Sequence, residues 1–151
     1  GSHQTGLQGI TISPDVDGFK AKLVWKNVEA QPNITHGVRG GSHYYGIGDP
    51  AKLVCVDIAT GMTAWGDGSL SFPDPKRAMA AFIVMGKNIL SLSSGGELCL
   101  FEASPTVFNE LGRTQACGIN WCMPAYVDGR LFVRDGIKKK GGNLICLDLT
   151  D

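Results

Sequence analysis

With 151 residues, the chain is long enough to bury the core of one ordinary domain. Its 14 basic and 14 acidic residues cancel, which argues against a nucleic-acid partner, and no apolar run approaches the roughly 20 residues that cross a membrane. Twenty-one glycines, about twice the average usage, lie mostly between apolar runs and favour many short strands.

The amino-terminal 26 residues contain a weak strand pattern followed by a clear one. Residues 1–3, Gly-Ser-His, resemble the remnant of a cleaved tag, which leaves open that the chain is a fragment whose own targeting sequence has been removed. Residues 4–19 predict an extended segment or edge strand. Residues 20–26 predict the first good strand, which ends near Trp25.

The stretch from Leu53 to Trp65 carries the strongest signal. Leu53 to Ile58 is a β-branched run that predicts a strand buried on both faces, Ala59-Thr60-Gly61 predicts a tight turn, and Met62 to Trp65 predicts an antiparallel return strand. Pieces of this hairpin recur. Leu53 and Leu98 lie 45 residues apart, and Leu98 and Leu144 lie 46 apart. A period in the forties with several short strands is typical of a β-propeller blade.

The repeats divide most of the chain into about three blades of four antiparallel strands, which makes the predicted fold all-β. The first full blade covers residues 35–65, with strands at 36–41, 42–47, 53–58 and 62–65. The second covers residues 78–112, with strands at 79–85, 89–93, 97–102 and 107–112. An incomplete third blade covers residues 121–149, with strands at 122–127, 131–134 and 143–149.

The third blade therefore has three predicted strands, while the strand at 20–26 stands as an outer blade strand without a partner. A closed propeller needs roughly four to eight blades. Two explanations stay open: the chain is part of a longer propeller, or two copies form a homodimer that completes a ring.

Five cysteines leave at least one unpaired. Cys55, Cys99 and Cys146 are interpreted as occupying the same place in the repeated strand, where a small apolar side chain packs in the core. A disulfide between Cys117 and Cys122 is expected only in an oxidising compartment.

Two segments are specific enough to indicate a family. Residues 124–134, PAYVDGRLFVR, followed by residues 142–148, GNLICLD, together with residues 56–65, VDIATGMTAW, resemble the repeat of the PQQ-like (quinoprotein-type) β-propellers. The resemblance covers residues 20–151 and implies that Trp25 and Trp65 are structural residues that dock between blades. It also favours a periplasmic or extracellular protein, although free core cysteines are compatible with the cytoplasm as well.

The resembled family contains both quinoprotein dehydrogenases and non-catalytic binding or scaffold proteins. Its dehydrogenases stack the quinone between a tryptophan and a disulfide of adjacent cysteines, beside a calcium or lanthanide ion held by Glu, Asn and Asp. Here no two cysteines are adjacent. The resemblance therefore implies no PQQ or calcium site, and a fragment of a PQQ-dependent dehydrogenase remains the alternative.

The sequence also lacks the common local signatures of catalysis. It contains no nucleophile elbow, no phosphate-binding loop and no zinc-type Cys/His spacing, and Gly40-Gly41-Ser42-His43 is interpreted as a strand kink. We therefore assign no catalytic, cofactor-binding or metal-binding residues; the sequence favours a non-catalytic protein and leaves open whether it is an enzyme.

A binding surface is expected on the face that holds the connectors between blades. The candidate ligand-facing residues are His36, Arg39, Arg77 and Trp121. The leading hypothesis is a binding or scaffold module for a protein or carbohydrate partner, and a third hypothesis is a structural unit whose role is self-assembly.

Overall fold

The computed structural model describes residues 5–32, 35–48, 50–136 and 141–150. Residues 1–3, interpreted as a tag remnant, lie outside this range. The described residues form thirteen strands. The strands are β1 (Leu7–Asp15), β2 (Gly18–Asn27), β3 (Val38–Gly40), β4 (His43–Gly48), β5 (Lys52–Asp57), β6 (Thr63–Ser69), β7 (Ala80–Met85), β8 (Asn88–Ser93), β9 (Glu97–Glu102), β10 (Glu110–Gln115), β11 (Ala125–Val127), β12 (Arg130–Arg134) and β13 (Leu144–Asp148).

Every sheet is an antiparallel meander in which consecutive strands pair. We call β1-β2 the N-terminal hairpin, β3-β4-β5-β6 sheet A, β7-β8-β9-β10 sheet B and β11-β12-β13 sheet C. Sheets A and B are the two complete four-stranded blades that the sequence predicts, and sheet C is the three-stranded one. The helical content of the described residues is a single 3-10 turn, Pro75–Arg77, and among them no helix is long and apolar enough to span a membrane.

The first hairpin of each blade has the same turn. Gly40 pairs with His43, Met85 with Asn88 and Val127 with Arg130, so each turn has two residues. Gly41, Gly86 and Gly129 take positive φ values of 60°, 62° and 76° in these turns. Glycine adopts this backbone conformation without steric cost, which explains its recurrence at this point of the repeat.

Three apolar clusters fill the spaces between the sheets. Leu53 and Cys55 of β5 join a cluster with Phe82, Cys99 and Phe101 of sheet B. Val54 and Val56 face the opposite way, towards Ala30 and Leu7. The strand β5 is therefore buried on both faces, as predicted. A third cluster, between sheets B and C, includes Leu90, Leu98, Leu131 and Val133.

The interface between sheets A and B centres on Trp65, whose side chain is 8% exposed. Its ring centroid lies 6.0 Å from that of Tyr45 and 5.7 Å from that of Phe108, both tilted. The Trp65 Nε1–H donates to the Ser104 carbonyl oxygen at 2.9 Å. Trp65 thus packs sheet A against sheet B.

Several predicted strands differ from the structure: β11 begins three residues after its predicted start, and β6 continues four residues beyond its predicted end. The strand at 20–26 has a partner, because β2 pairs with β1 along its length in the N-terminal hairpin. The predicted outer strand at 107–112 begins three residues later, as β10 at Glu110–Gln115. Phe108 is used for packing against Trp65 and Phe101 instead of for strand pairing.

The prediction that three cysteines share one place in the repeat is wrong. Cys55 pairs with Tyr45, the third residue of β4, whereas Cys99 pairs with Ser91, the fourth residue of β8. Cys99 is therefore one residue out of register with Cys55. Because side chains alternate along a strand, Cys55 points from sheet A towards B and Cys99 points from B towards A. Both are buried, but Cys146, predicted to lie in the core, is exposed, since its face of edge strand β13 has no described sheet against it.

Candidate functional site

A cavity of about 350 Å³ lies on the face that carries the connectors between sheets. It is lined by Thr35, His36, Met79, Ala80, Ala81, Leu92, Ser94, Asn120, Trp121, Cys122 and Met123. The lining residues come from three inter-sheet connectors, from edge strand β7 and the neighbouring strand β8 of sheet B, and from the turn that follows β8. The cavity therefore includes two of the four predicted ligand-facing residues, His36 and Trp121.

The small side chains of Ala80 and Ala81 at the start of β7 leave room for the cavity. Both are buried, as is Leu92 across the β7-β8 pair, so the floor is apolar and rigid. Ser94 closes the end of this pair, where its backbone N–H donates to the Met79 carbonyl at 2.7 Å.

The connector from β10 to β11 carries Trp121 and is held in place by Asn120. The Asn120 side chain is 4% exposed, and its Nδ2 donates to the Ser93 carbonyl at 3.0 Å. The Asn120 backbone N–H donates to the Ser94 carbonyl, also at 3.0 Å. A buried amide with these partners fixes the backbone on both sides of its own position. The backbone of Trp121 is therefore held in place by sheet B.

Further hydrogen bonds tie the same connector to its surroundings. The Gln115 side chain donates to the carbonyls of Gly95 and Cys117, at 2.7 and 2.6 Å. On the side of the connector that faces sheet C, the Gly136 backbone N–H donates to the Ile119 carbonyl at 2.9 Å. The connector is therefore attached to sheets B and C, although it has no regular secondary structure.

The rim of the cavity is apolar and open to solvent. Trp121 is 62% exposed and Met123 is 59% exposed. Large exposed apolar side chains on a backbone that is held by hydrogen bonds are typical of binding surfaces. A ligand buries these side chains, and the entropy cost is small because the loop that carries them is already ordered.

The opposite side of the cavity is formed by Thr35 and His36. The ring of Tyr44 packs against Gly37, where a Cβ atom would overlap it, and so holds the backbone next to His36. Burial raises the pKa of Tyr44 to about 12. The Thr35 hydroxyl is buried and, among the described residues, has no hydrogen-bond partner. His36 is exposed at the edge of this wall.

The other predicted residues lie elsewhere or outside the description. Arg39 is exposed on β3, and its Nε donates to the Gly41 carbonyl at 2.8 Å, at the opposite end of the strand from the connector. Arg77 ends the 3-10 turn that leads towards Met79, but its side chain lies outside the described residues. Sequence reasoning missed Asn120 and the Ala80-Ala81 pair, although an asparagine directly before an exposed tryptophan was a usable signal.

The cavity lining contains one histidine and one cysteine, His36 and Cys122. Within the described ranges, no group of three or more His, Cys, Asp or Glu side chains is placed to hold a metal ion. Cys117 and Cys122 are free thiols, so they do not provide the disulfide of the quinone site, which in any case requires adjacent cysteines. The residues do not fit a PQQ site of that type.

Ser42 and His43 form a pair that resembles part of a catalytic triad, but the pair lies at the turn between β3 and β4. The Ser42 Oγ lies 3.1 Å from His43 Nδ1, and His43 Nε2 lies 3.8 Å from Asp57 Oδ2. The Asp57 carboxylate already accepts hydrogen bonds from the backbone and hydroxyl of Thr60, at 2.7 and 2.9 Å, and so caps the β5-β6 turn. Ser42, His43 and Asp57 are not among the residues that line the cavity.

Comparisons with known proteins support the fold alone. No protein-family profile matches the sequence, and no curated protein sequence matches it. Solved structures do match, among them BamB from Moraxella catarrhalis, with 16% identity and a TM-score of 0.58. The match covers 93% of this chain and 40% of that chain, so this chain spans less than half the length of its structural neighbour. The likeness shows that the chain has a β-propeller-type fold.

Proposed function

We propose that this chain is a non-catalytic propeller module that binds a protein ligand, without a cofactor, at the cavity beside Trp121. The observation that carries the proposal is the exposed rim of Trp121 and Met123 above an apolar floor. Tryptophan is enriched among the residues that dominate protein interfaces, and its two rotatable bonds cost little entropy on binding. The fold shared with BamB is consistent with a binding role.

The shape and polarity of the cavity favour an extended peptide segment. About 350 Å³ accommodates one large apolar side chain or two small ones. Of its polar lining residues, His36 is exposed at the edge of the apolar floor and provides a hydrogen-bonding partner for a peptide backbone. We therefore expect the ligand to insert an apolar side chain next to Trp121.

Selection of peptides from a phage-displayed library tests this proposal. Peptides selected on the wild-type protein should contain apolar side chains and should lose at least tenfold in affinity on Trp121→Ala, as expected for a hot-spot residue that contributes about 2 kcal/mol. The matched control is Phe19→Ala, which removes an aromatic side chain that is 79% exposed on the N-terminal hairpin. Selected peptides that bind Trp121→Ala and wild type equally would contradict the proposal.

Two further measurements separate the alternatives. Titration with PQQ and calcium should produce no saturable absorbance change, and a saturable complex would instead favour the dehydrogenase fragment. Sedimentation should give a monomer, whereas a discrete dimer that dissociates on Trp121→Ala would show that this surface serves self-assembly.

A further inference from the structure

The gap between sheets B and C lacks the indole side chain that packs in each of the two preceding gaps. Trp25 of the N-terminal hairpin packs over Gly61 of sheet A, and its Nε1–H donates to the Ile58 carbonyl at 2.8 Å. Trp65 of sheet A packs on sheet B in the same manner, with its Nε1–H donating to the Ser104 carbonyl at 2.9 Å. Each indole thus combines apolar packing with one hydrogen bond to the following sheet.

Strand pairing identifies the residue at the same place in sheet B. Trp65 pairs with Cys55, which pairs in turn with Tyr45, two residues beyond the start of β4. In sheet B the residue two beyond the start of β8 is Leu90, which pairs with Leu100, and Leu100 pairs in turn with Gly112. Gly112 therefore occupies the tryptophan position but has no side chain to place in the gap.

A cavity of about 440 Å³ lies beside Gly112. Its walls include the apolar residues Met85, Leu90, Leu98, Leu100 and Leu149. A Cβ atom added to Gly112 would meet nothing within 4 Å, and the residue does not have the positive φ that side chains avoid. The position from which Trp65 packs on the following sheet therefore carries no side chain in sheet B, and the space beside it is open.

The hydrogen-bond acceptor for an indole is also in place. The Ile58 backbone N–H donates to the Ser42 carbonyl, and the Leu149 backbone N–H donates to the Gly129 carbonyl, each just after the third strand of its sheet. Leu149 is thus the sheet C equivalent of Ile58, whose carbonyl accepts the Trp25 N–H. In sheet B the equivalent residue is Ala103, and the Trp65 N–H bonds to the next carbonyl, that of Ser104, so the acceptor in sheet C is the carbonyl of Leu149 or of the following Thr150. The neighbouring Arg113 does not replace the indole, because its guanidinium is bound by the carboxylates of Glu97 and Glu110, each at 2.7 Å.

We propose that the cavity between sheets B and C binds the indole group of a tryptophan carried by a partner peptide. The occupant is inferred from the two equivalent gaps, each of which is filled by an indole with its N–H bonded to a backbone carbonyl. This site is separate from the cavity beside Trp121, and the inference does not depend on the proposed function.

Titration of the wild-type protein with N-acetyl-tryptophanamide, followed by amide chemical shifts, tests the proposal. Saturable shifts should appear at Leu100, Gly112 and Leu149, with a Kd of about 0.1–1 mM for a ligand of this size. The 1-methyl derivative, which lacks the indole N–H, should bind about fivefold more weakly, the usual effect of losing one hydrogen bond. Shifts confined to the Trp121 cavity, no saturable shifts, or equal binding of the 1-methyl derivative would overturn the proposal.

Gly112→Trp provides an independent test, because it supplies the indole from the chain itself. The variant should melt at a higher temperature than wild type and should no longer bind N-acetyl-tryptophanamide at Leu149, while the matched control Gly112→Ala should bind it within about twofold of wild type. Unchanged binding by Gly112→Trp would contradict the assignment. A wild-type dimer that dissociates in this variant would assign the cavity to a second copy of the chain and would refute the proposal that a partner peptide binds there.

Discussion

Replacement of Trp65 by alanine should remove a large part of the stability of this fold. The side chain is 8% exposed, and burial of roughly 200 Å² of indole at about 25 cal/mol per Å² contributes about 5 kcal/mol as an upper limit. The hydrogen bond to the Ser104 carbonyl adds about 1 kcal/mol. Since the surroundings relax in part, we expect a loss of about 3–5 kcal/mol in the free energy of unfolding, the range found for tryptophan deletions in cores.

Urea denaturation followed by circular dichroism measures this loss. Trp65→Phe keeps a ring beside Tyr45 and Phe108 but loses the N–H donor, and should cost about 1–2 kcal/mol. Phe19→Ala, at a side chain that is 79% exposed, should cost less than about 0.5 kcal/mol. A loss below about 1.5 kcal/mol for Trp65→Ala, or an equal loss for both Trp65 variants, would refute the docking role.

Two further predictions concern titratable groups. Burial raises the pKa of the Cys55 and Cys99 thiols to about 11, so both should resist a thiol reagent at pH 8 until the protein unfolds, whereas the partly or fully exposed Cys117, Cys122 and Cys146 should react first. A rapid phase that survives replacement of these three cysteines by serine would contradict this. Hydrogen bonds from Thr60 hold the pKa of the Asp57 carboxyl below its usual value, so its stabilisation is complete above the unfolded-state pKa of about 4 and is lost as the pH falls through the folded-state pKa. Asp57→Asn should therefore reduce the decline of the urea midpoint on acidification, and an unchanged decline would contradict the assignment.

The repeat was predictable because hydrophobic spacing reports directly on strand position. Leu53, Leu98 and Leu144 are equivalent in the structure, as their spacing indicates, since Leu53 pairs with Ile47 and Leu98 with Leu92 at the same distance from their hairpin turns. The cysteine pattern predicts a wrong equivalence because matching residue identity ignores the position of each cysteine relative to its leucine. Cys99 follows its leucine by one residue and Cys55 follows its leucine by two, and in a strand this difference reverses the direction of the side chain.

The candidate site was only partly predictable, because it depends on which end of a strand a side chain points towards. His36 and Trp121 lie in connectors and line the same cavity, but Arg39 lies within β3 and hydrogen-bonds at the turn at the other end. Asn120 shows what sequence patterns do not report: its value comes from a carbonyl 27 positions away in the chain, that of Ser93. The open position at Gly112 likewise becomes visible only when strand pairing places it opposite Leu100.

The meander arrangement of every sheet affects how the chain reaches its folded state. Each backbone ladder joins segments that follow one another directly, so no strand has to search the distant chain for a partner, and the entropy lost in closing each loop is small. Sheet A or sheet B can therefore form first and act as a template for its neighbour. Side-chain docking between sheets, by residues such as Trp65, then couples these local events into one cooperative transition.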